Sequence, residues 1–345
     1  MTRKFTTLVA ALAMLITMLG TGAFAASDQS DQARAEHQRI IDFWTPERIA
    51  QAVPRDFVLD GAGWKAKPEN PGKPGGGGGG GGGDSTVTGA SWNGNGEVAD
   101  TTGKVLFALG TSYYVCSGSV ATELVSGRSI AVSAGHCVYD ESNGLFATNW
   151  MFIPDYDSAP APLDIQGNFC AQTEWGCWTA TSLVVHDGFA SAGGFNDQAV
   201  RYDWGFAVMG EGGKANAQLD ETVGSQAISF SSVSIGDTVS AFGYPAAQKY
   251  KGNDLVYCQG PVRTDSFTDD LTYGVTCSMT GGSSGGPWFA PFDDTTGTGI
   301  QMSVNSYGYT GDKSMYGPIF NSNTEDTWDT ALSIPNGNAV VPDVG

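Results

Sequence analysis

The chain has 345 residues, room for about two domains at ~150 residues each or for one larger all-β unit with appendages. Glycine fills 49 positions while charged residues make up only 15%, which disfavours a coiled coil or an ordinary helical bundle. A formal charge of −19 argues against capture of nucleic acid or of an anionic membrane, both of which need basic patches, and leaves protein or carbohydrate as the expected macromolecular partner.

Residues 1–25 read as a secretory signal peptide. Arg3 and Lys4 precede the apolar stretch Leu8 to Leu19, and Ala23-Phe24-Ala25 supplies a small-residue cleavage site. The apolar run is short for a membrane span, so the expected location is extracellular, with no membrane contact after cleavage. Residues 26–74 carry no cysteine and read as a pro-segment or N-terminal arm. Their spacing predicts one short helix over 31–53 with Ile40, Ile41, Trp44 and Ile49 as its apolar stripe, too little to fold alone. Nine glycines at 75–83 form a flexible tether spanning ~15–18 Å. Residues 26–83 balance seven basic against eight acidic side chains, whereas 84–345 hold eight basic and 28 acidic ones, a net of −20.

Beyond the tether the pattern becomes short apolar runs between turn residues. Val105 to Leu109, Tyr113 to Val120, Ser129 to Ser133, Trp150 to Ile153, Leu183 to Val185, Phe206 to Met209, Thr238 to Phe242, Leu255 to Cys258 and Met302 to Asn305 all read as strands. No long helical period stands out, so 84–345 is expected to be a sandwich, a barrel or a pair of barrels.

Export permits disulfides, and Cys116, Cys137, Cys170, Cys177, Cys258 and Cys277 make an even set. Short loops in a β framework favour Cys116–Cys137, Cys170–Cys177 and Cys258–Cys277, the first of which would brace the segment bearing His136. No second His or Cys stands at zinc spacing beside His136, so neither a metal nor a cofactor is expected.

Three clusters carry chemistry. Ser133-Ala134-Gly135-His136-Cys137 follows the apolar strand Ile130-Ala131-Val132, a rigid mount with small neighbours such as a catalytic imidazole needs. Gly281-Gly282-Ser283-Ser284-Gly285-Gly286-Pro287 offers Ser284 as a nucleophile on a tight turn, with the amides of Gly282 and Ser284 as the oxyanion hole. The same residues satisfy the nucleophile elbow of α/β-hydrolases, but those enzymes place the histidine after the serine, and no histidine follows His186. A subtilisin-like order would need an acid before His136 on an α/β chain. That leaves histidine, aspartate, serine. Of the thirteen aspartates between His136 and Ser284, Asp203 sits at the mouth of the buried run Trp204 to Met209, whereas Asp187, Asp197 and Asp237 have turn-like surroundings. His186, ending Leu183-Val184-Val185, reads as a surface histidine.

Cys116-Ser117-Gly118-Ser119-Val120, Ser133 to Cys137, Tyr202-Asp203-Trp204-Gly205-Phe206 and Gly282 to Pro287, in that order, resemble the chymotrypsin-type serine peptidases. Gly243-Tyr244-Pro245 and Thr280 to Ser284 resemble the secreted bacterial branch that includes the glutamyl endopeptidases. Over roughly residues 90–330 the resemblance implies an all-β fold of two six-stranded antiparallel barrels with the active site between them. It implies a secreted serine endopeptidase acting on protein or peptide substrates through His136, Asp203 and Ser284. It also suggests Met302 to Asn305 as the strand that aligns an extended substrate, with Ser278, Thr280, Val304 and Asn305 as substrate-binding residues. Two departures stand out: Ser283 replaces the activation aspartate of the animal enzymes, and Cys277 lies seven rather than four residues before the nucleophile. Residues 274–283 contain no carboxylate, and Asn305 or its neighbours stand where the resemblance to the glutamyl branch implies a histidine, so a neutral or broad preference is expected on the acyl side of the scissile bond. A catalytically inactive double-barrel binding module and a secreted serine esterase are the competing readings.

Overall fold

A computed structural model of the chain describes residues 30–60, 63–66, 86–124, 127–247, 249–250 and 252–343. The expected signal peptide and the polyglycine tether lie outside the described residues. The chain divides into two units at Arg39/Ile40. In the first, residues 30–39 are helical, with Arg34 paired to Asp31 and Arg39 to Glu36. All that follows concerns the second unit, Ile40–Gly345.

Six antiparallel strands close the first barrel: Thr102–Leu109, Ser112–Ala121, Ser129–Ser133, Thr148–Pro154, Trp178–His186 and Gly205–Met209. Closure comes from Ser112–Ala121, which pairs on one edge with Thr102–Leu109 and on the other with Ser129–Ser133. The sequence explains the geometry: Ile130, Val132, Phe206, Val105, Phe152 and Val184 are apolar, rich in β-branched and aromatic types, and fully buried inside. A closed barrel leaves no unpaired edge in its ladder.

The second half is built from two six-stranded sheets. One sheet runs Ala227–Ile228, Thr298–Val304, Pro287–Asp293, Thr238–Gly243, Val256–Pro261, Val87–Ser91; the other runs Arg263–Thr264, Thr272–Thr276, Ser314–Pro318, Tyr307–Tyr309, Phe57–Asp60, Gly63–Ala66. Register shifts after Trp288 and Phe289 and between Tyr257 and Cys258 interrupt the pairing. The two sheets share one core through Val239, Val256, Val275, Trp288, Met302 and Met315, and Cys258–Cys277 ties them covalently. Side chains and a disulfide here do the closing that hydrogen bonds do in the first half. All three expected disulfides are present: Cys116–Cys137, Cys170–Cys177 and Cys258–Cys277.

Three expectations are corrected. A single helix over 31–53 does not form: Thr45 caps a new helix, Pro46–Gln51, because Pro46 cannot continue the preceding turn but suits a first helical position, and Val53–Pro54 is already a strand. The N-terminal arm is not without a core, since Ile40, Ile41, Trp44 and Ile49 are buried against Leu106, Val115 and Met151, and Trp44 Nε1 donates to the Asn149 carbonyl at 2.7 Å. A C-terminal helix, Ser322–Ser333, was not expected; Thr324, Thr327, Trp328 and Ala331 form its buried face. Among the described residues, no helix is long and apolar enough to cross a membrane.

Candidate active site

His136 sits in the short 3₁₀ turn Gly135–Cys137 that follows Ser129–Ser133, and Cys137 is fixed by its disulfide to Cys116 on the neighbouring strand. Asp203 closely precedes Gly205–Met209, the strand paired with Ser129–Ser133, so adjacent strands of one barrel deliver the two side chains. The carboxylate faces His136 twice: Oδ1 accepts the His136 backbone N–H at 2.8 Å, and Oδ2 lies 2.8 Å from Nδ1. Ser306 Oγ also donates to Oδ2. His136 and Asp203 are both fully buried. With Nδ1 held by a carboxylate, Nε2 is the ring nitrogen left for proton transfer, and among the described residues it has no hydrogen-bond partner.

Ser284 comes from the other half, on a loop knitted to the first barrel through backbone groups. The Ser117 amide donates to the Ser284 carbonyl at 2.7 Å, and Ser117 Oγ donates to the Gly282 carbonyl at 2.8 Å. Gly282 has φ +95° and Gly285 φ +81°, and a Cβ at Gly285 would collide with Ser133 Oγ. Only glycine serves at these two positions, one for the left-handed turn and the other for the close approach of the barrels. Among the described residues the amides of Gly282 and Ser284 have no acceptor, as donors reserved for a developing oxyanion require.

The expected substrate residues fare differently. Val304 is core, and Asn305 is fully buried with its amide spent internally: Nδ2 donates to the carbonyls of Phe242 at 2.7 Å and Ser283 at 3.0 Å, while Oδ1 accepts from Trp288 Nε1 at 2.7 Å. Both side chains are interior rather than exposed to a substrate, Val304 in the core and Asn305 as a support of the serine loop. Ser278 Oγ is engaged with Tyr250 Oη at 2.9 Å and Lys249 Nζ at 3.2 Å, and Thr280 Oγ accepts the Ala247 N–H at 3.2 Å, so these hydroxyls already have protein partners. His186 is corrected as well: it is buried, its ring stacked 4.8 Å from that of Tyr202, with Nδ1 accepting from the Gly188 N–H and burial lowering its pKa.

Two contributions escaped the sequence reading. Ser117 and Ser306 are small hydroxyl residues whose importance lies in long-range contacts. The arm is the other. Val53–Pro54 pairs in parallel with Tyr114 and Val115, and Phe57 to Leu59 pairs in parallel with Tyr307 to Tyr309, directly after Ser306. The strand that receives an extended segment is therefore Tyr307–Tyr309, just beyond the stretch expected. Phe57 packs edge-on to the His136 ring at 5.3 Å and stacks on Phe195 at 3.9 Å. A Cβ on Gly281 would lie 2.9 Å from the Cβ atoms of both Pro54 and Asp56. The arm thus lies against both the histidine and Gly281 of the serine loop, and Ser284 is 3% exposed.

Cys116, His136 and Cys137 bring three donor atoms close enough to suggest a metal, but both sulfurs are joined in a disulfide. A thiolate ligand set is therefore absent at this cluster.

Solved structures with this fold include proteases at more than 30% identity. The protease Anisep from Arthrobacter nicotinovorans is 36% identical, with TM-score 0.57, over 68% of this chain and 96% of that one. The thermostable serine protease AL20 from an extremophilic microorganism is 33% identical, with TM-score 0.57, over 69% of this chain and 99% of that one. A Glu endopeptidase, 18% identical with TM-score 0.52 over 71% of this chain and 97% of that one, shares the fold. No protein-family model and no curated protein matches the chain.

Proposed function

The chain belongs to the chymotrypsin-type serine peptidases, in the bacterial branch related to the glutamyl endopeptidases, and on that premise we propose that it is a secreted serine endopeptidase made as a latent precursor. The observation that carries the reading is the buried His136–Asp203 pair at 2.8 Å, in a barrel whose Ser117 is hydrogen-bonded to a serine loop with two amides that have no acceptor among the described residues. His136 Nε2 takes the proton from Ser284 Oγ as the oxygen attacks a peptide carbonyl, and Asp203 holds the tautomer and stabilises the imidazolium. The amides of Gly282 and Ser284 receive the oxyanion. His136 returns the proton to the leaving amine, and water then hydrolyses the acyl-enzyme by the same route.

Residues 26–74 act as the pro-segment. Phe57 over the imidazole and Pro54 and Asp56 beside Gly281 fill the space a substrate needs, so activity requires the arm to leave. Disulfides in place and a signal-like N-terminus support export.

The test is hydrolysis of a peptide library by the chain after specific cutting within residues 75–83. Ser284→Ala should lower turnover by roughly 10⁶, the size of a lost triad nucleophile, with an unchanged melting temperature. A Ser284→Ala protein that still cleaves at near-normal rate rejects the mechanism.

A further inference from the structure

Arg55 has no part in the reaction above, yet its guanidinium is held by several groups at once. Its Nη1 donates to the carbonyls of His136 and of Tyr139, the latter at 2.7 Å. Its Nη2 donates to Glu141 Oε2 at 2.8 Å and lies 3.7 Å from Asp140 Oδ1. Every one of these acceptors comes from the one short segment, 136–141, that carries the histidine. The Glu141 side chain is 1% exposed, a buried carboxylate compensated by this guanidinium. Burying a carboxylate is costly unless a cation and hydrogen bonds meet it, so the site is organised around a positive group. Two carbonyls and a carboxylate arranged about a planar fork suit a guanidinium better than an ammonium.

The arm shows how a peptide presents that group. Being extended, it alternates: Pro54 and Asp56 face Gly281, while Arg55 and Phe57 face the His136 segment. The cation site therefore belongs to the cleft itself. When the arm leaves, Glu141, Asp140 and two carbonyls open beside His136, in a region whose net charge is −20 and which draws in basic peptides.

We propose that Glu141, Asp140 and the carbonyls of His136 and Tyr139 form a guanidinium-binding subsite of the peptide cleft, filled by Arg55 in the uncut chain and by an arginine of a bound peptide once the arm is displaced. This deepens, and rests on, the peptidase reading.

The test uses the full chain carrying Ser284→Ala and a specific protease site within residues 75–83, cut and left unseparated, so that binding is read without catalysis. Fluorescent peptides of residues 50–66, either unaltered or carrying Arg55→Lys or Arg55→Ala, compete for the cleft. The unaltered peptide should bind about 10- to 100-fold tighter than the Arg55→Ala peptide, with Arg55→Lys between, the range expected for charge-assisted hydrogen bonds. Glu141→Gln should abolish that difference. Because Glu141→Gln risks misfolding, a charge swap gives a second reading: Glu141→Arg in the chain, offered the peptide carrying Arg55→Glu, should restore binding. With Ser284 intact, the cut chain should enrich arginine at one fixed position beside the scissile bond, and Glu141→Gln should remove the enrichment. Equal binding of the unaltered and Arg55→Ala peptides, or enrichment that survives Glu141→Gln, overturns the proposal. Arginine-dependent binding by a chain that cleaves nothing upholds the subsite and rejects the peptidase reading instead.

Discussion

The first barrel and the N-terminal arm both touch His136, but different forces hold them there. The barrel grips it through a closed ladder, a disulfide and a carboxylate that accepts from backbone and ring alike, all in a fully buried interior. The arm grips it through two short parallel pairings, Phe57 packed edge-on to its ring, and the Arg55 guanidinium, which donates to the His136 carbonyl and pairs with Glu141 and Asp140. A grip of the first kind yields only with global unfolding, whereas the second opens locally at a smaller cost. On the proposed reading, the arm can therefore leave without loosening the histidine.

The sharpest way to break this comparison is at the barrel's own contact. Asp203→Asn keeps size and burial but misdirects the imidazole tautomer, so turnover of the cut chain should fall by about 10⁴ while the melting temperature barely moves. A large drop in stability with little loss of turnover would show that the pair is architectural. On the arm's side, Arg55→Ala leaves Glu141 buried without its cation, a change worth roughly 3–5 kcal/mol. Hydrogen exchange in the uncut chain should then lose protection across residues 53–60 while Gly205–Met209 stays protected. Equal loss in both regions would mean that the arm and barrel form one cooperative unit.

A smaller effect is expected at Asn305. Replacing it with leucine removes partners from Trp288 Nε1 and from the carbonyls of Phe242 and Ser283, costing about 1–3 kcal/mol for each group left unsatisfied. Stability and kcat should both fall, with KM little altered, because Asn305 supports the serine loop and lies away from the cleft. A change confined to KM would return Asn305 to the substrate-binding set.

The smallest effect concerns pH. Lys104 is buried over the Tyr156 ring, and desolvation lowers its pKa to about 7. Between that value and the usual lysine range the unfolded chain holds a proton that the folded one lacks, so this group makes stability rise with pH above about 7. Asp157, raised to about 7 by burial, acts oppositely below that point, where the folded chain holds the extra proton and stability falls as pH rises. Lys104→Met should flatten the upper limb of a melting-temperature profile from about pH 7 to about pH 10, the window between the folded and ordinary lysine values. An unchanged slope would place that pH dependence elsewhere.

How much of this was legible in the sequence depended on range. Ser129 to Ser133 and Phe206 to Met209 were readable because full burial on both faces makes continuous apolar runs, and the chemistry at their ends pointed to His136 and Asp203. The cysteines paired with their chain neighbours, as short loops favour. The helix Ser322–Ser333 was hidden because two of its four buried positions, Thr324 and Thr327, are polar and blur the period; the Asn321 and Thr324 capping box was the available signal. Tyr307–Tyr309 was missed because a three-residue strand with a central glycine carries too little pattern. The arm's place was unreadable for a different reason. Its parallel pairings join residues about 60 and 250 positions apart, and no local periodicity encodes a contact of that reach.

The most direct test of a barrel-held triad beneath a displaceable arm is labelling with a serine-directed sulfonyl fluoride, read by peptide mass mapping before and after cutting within residues 75–83. The account requires modification at Ser284, slow in the uncut chain and at least tenfold faster after cutting, on the scale of a local opening released from about 1.4 kcal/mol or more of cover. Modification at another serine, or equal rates before and after the cut, would contradict it.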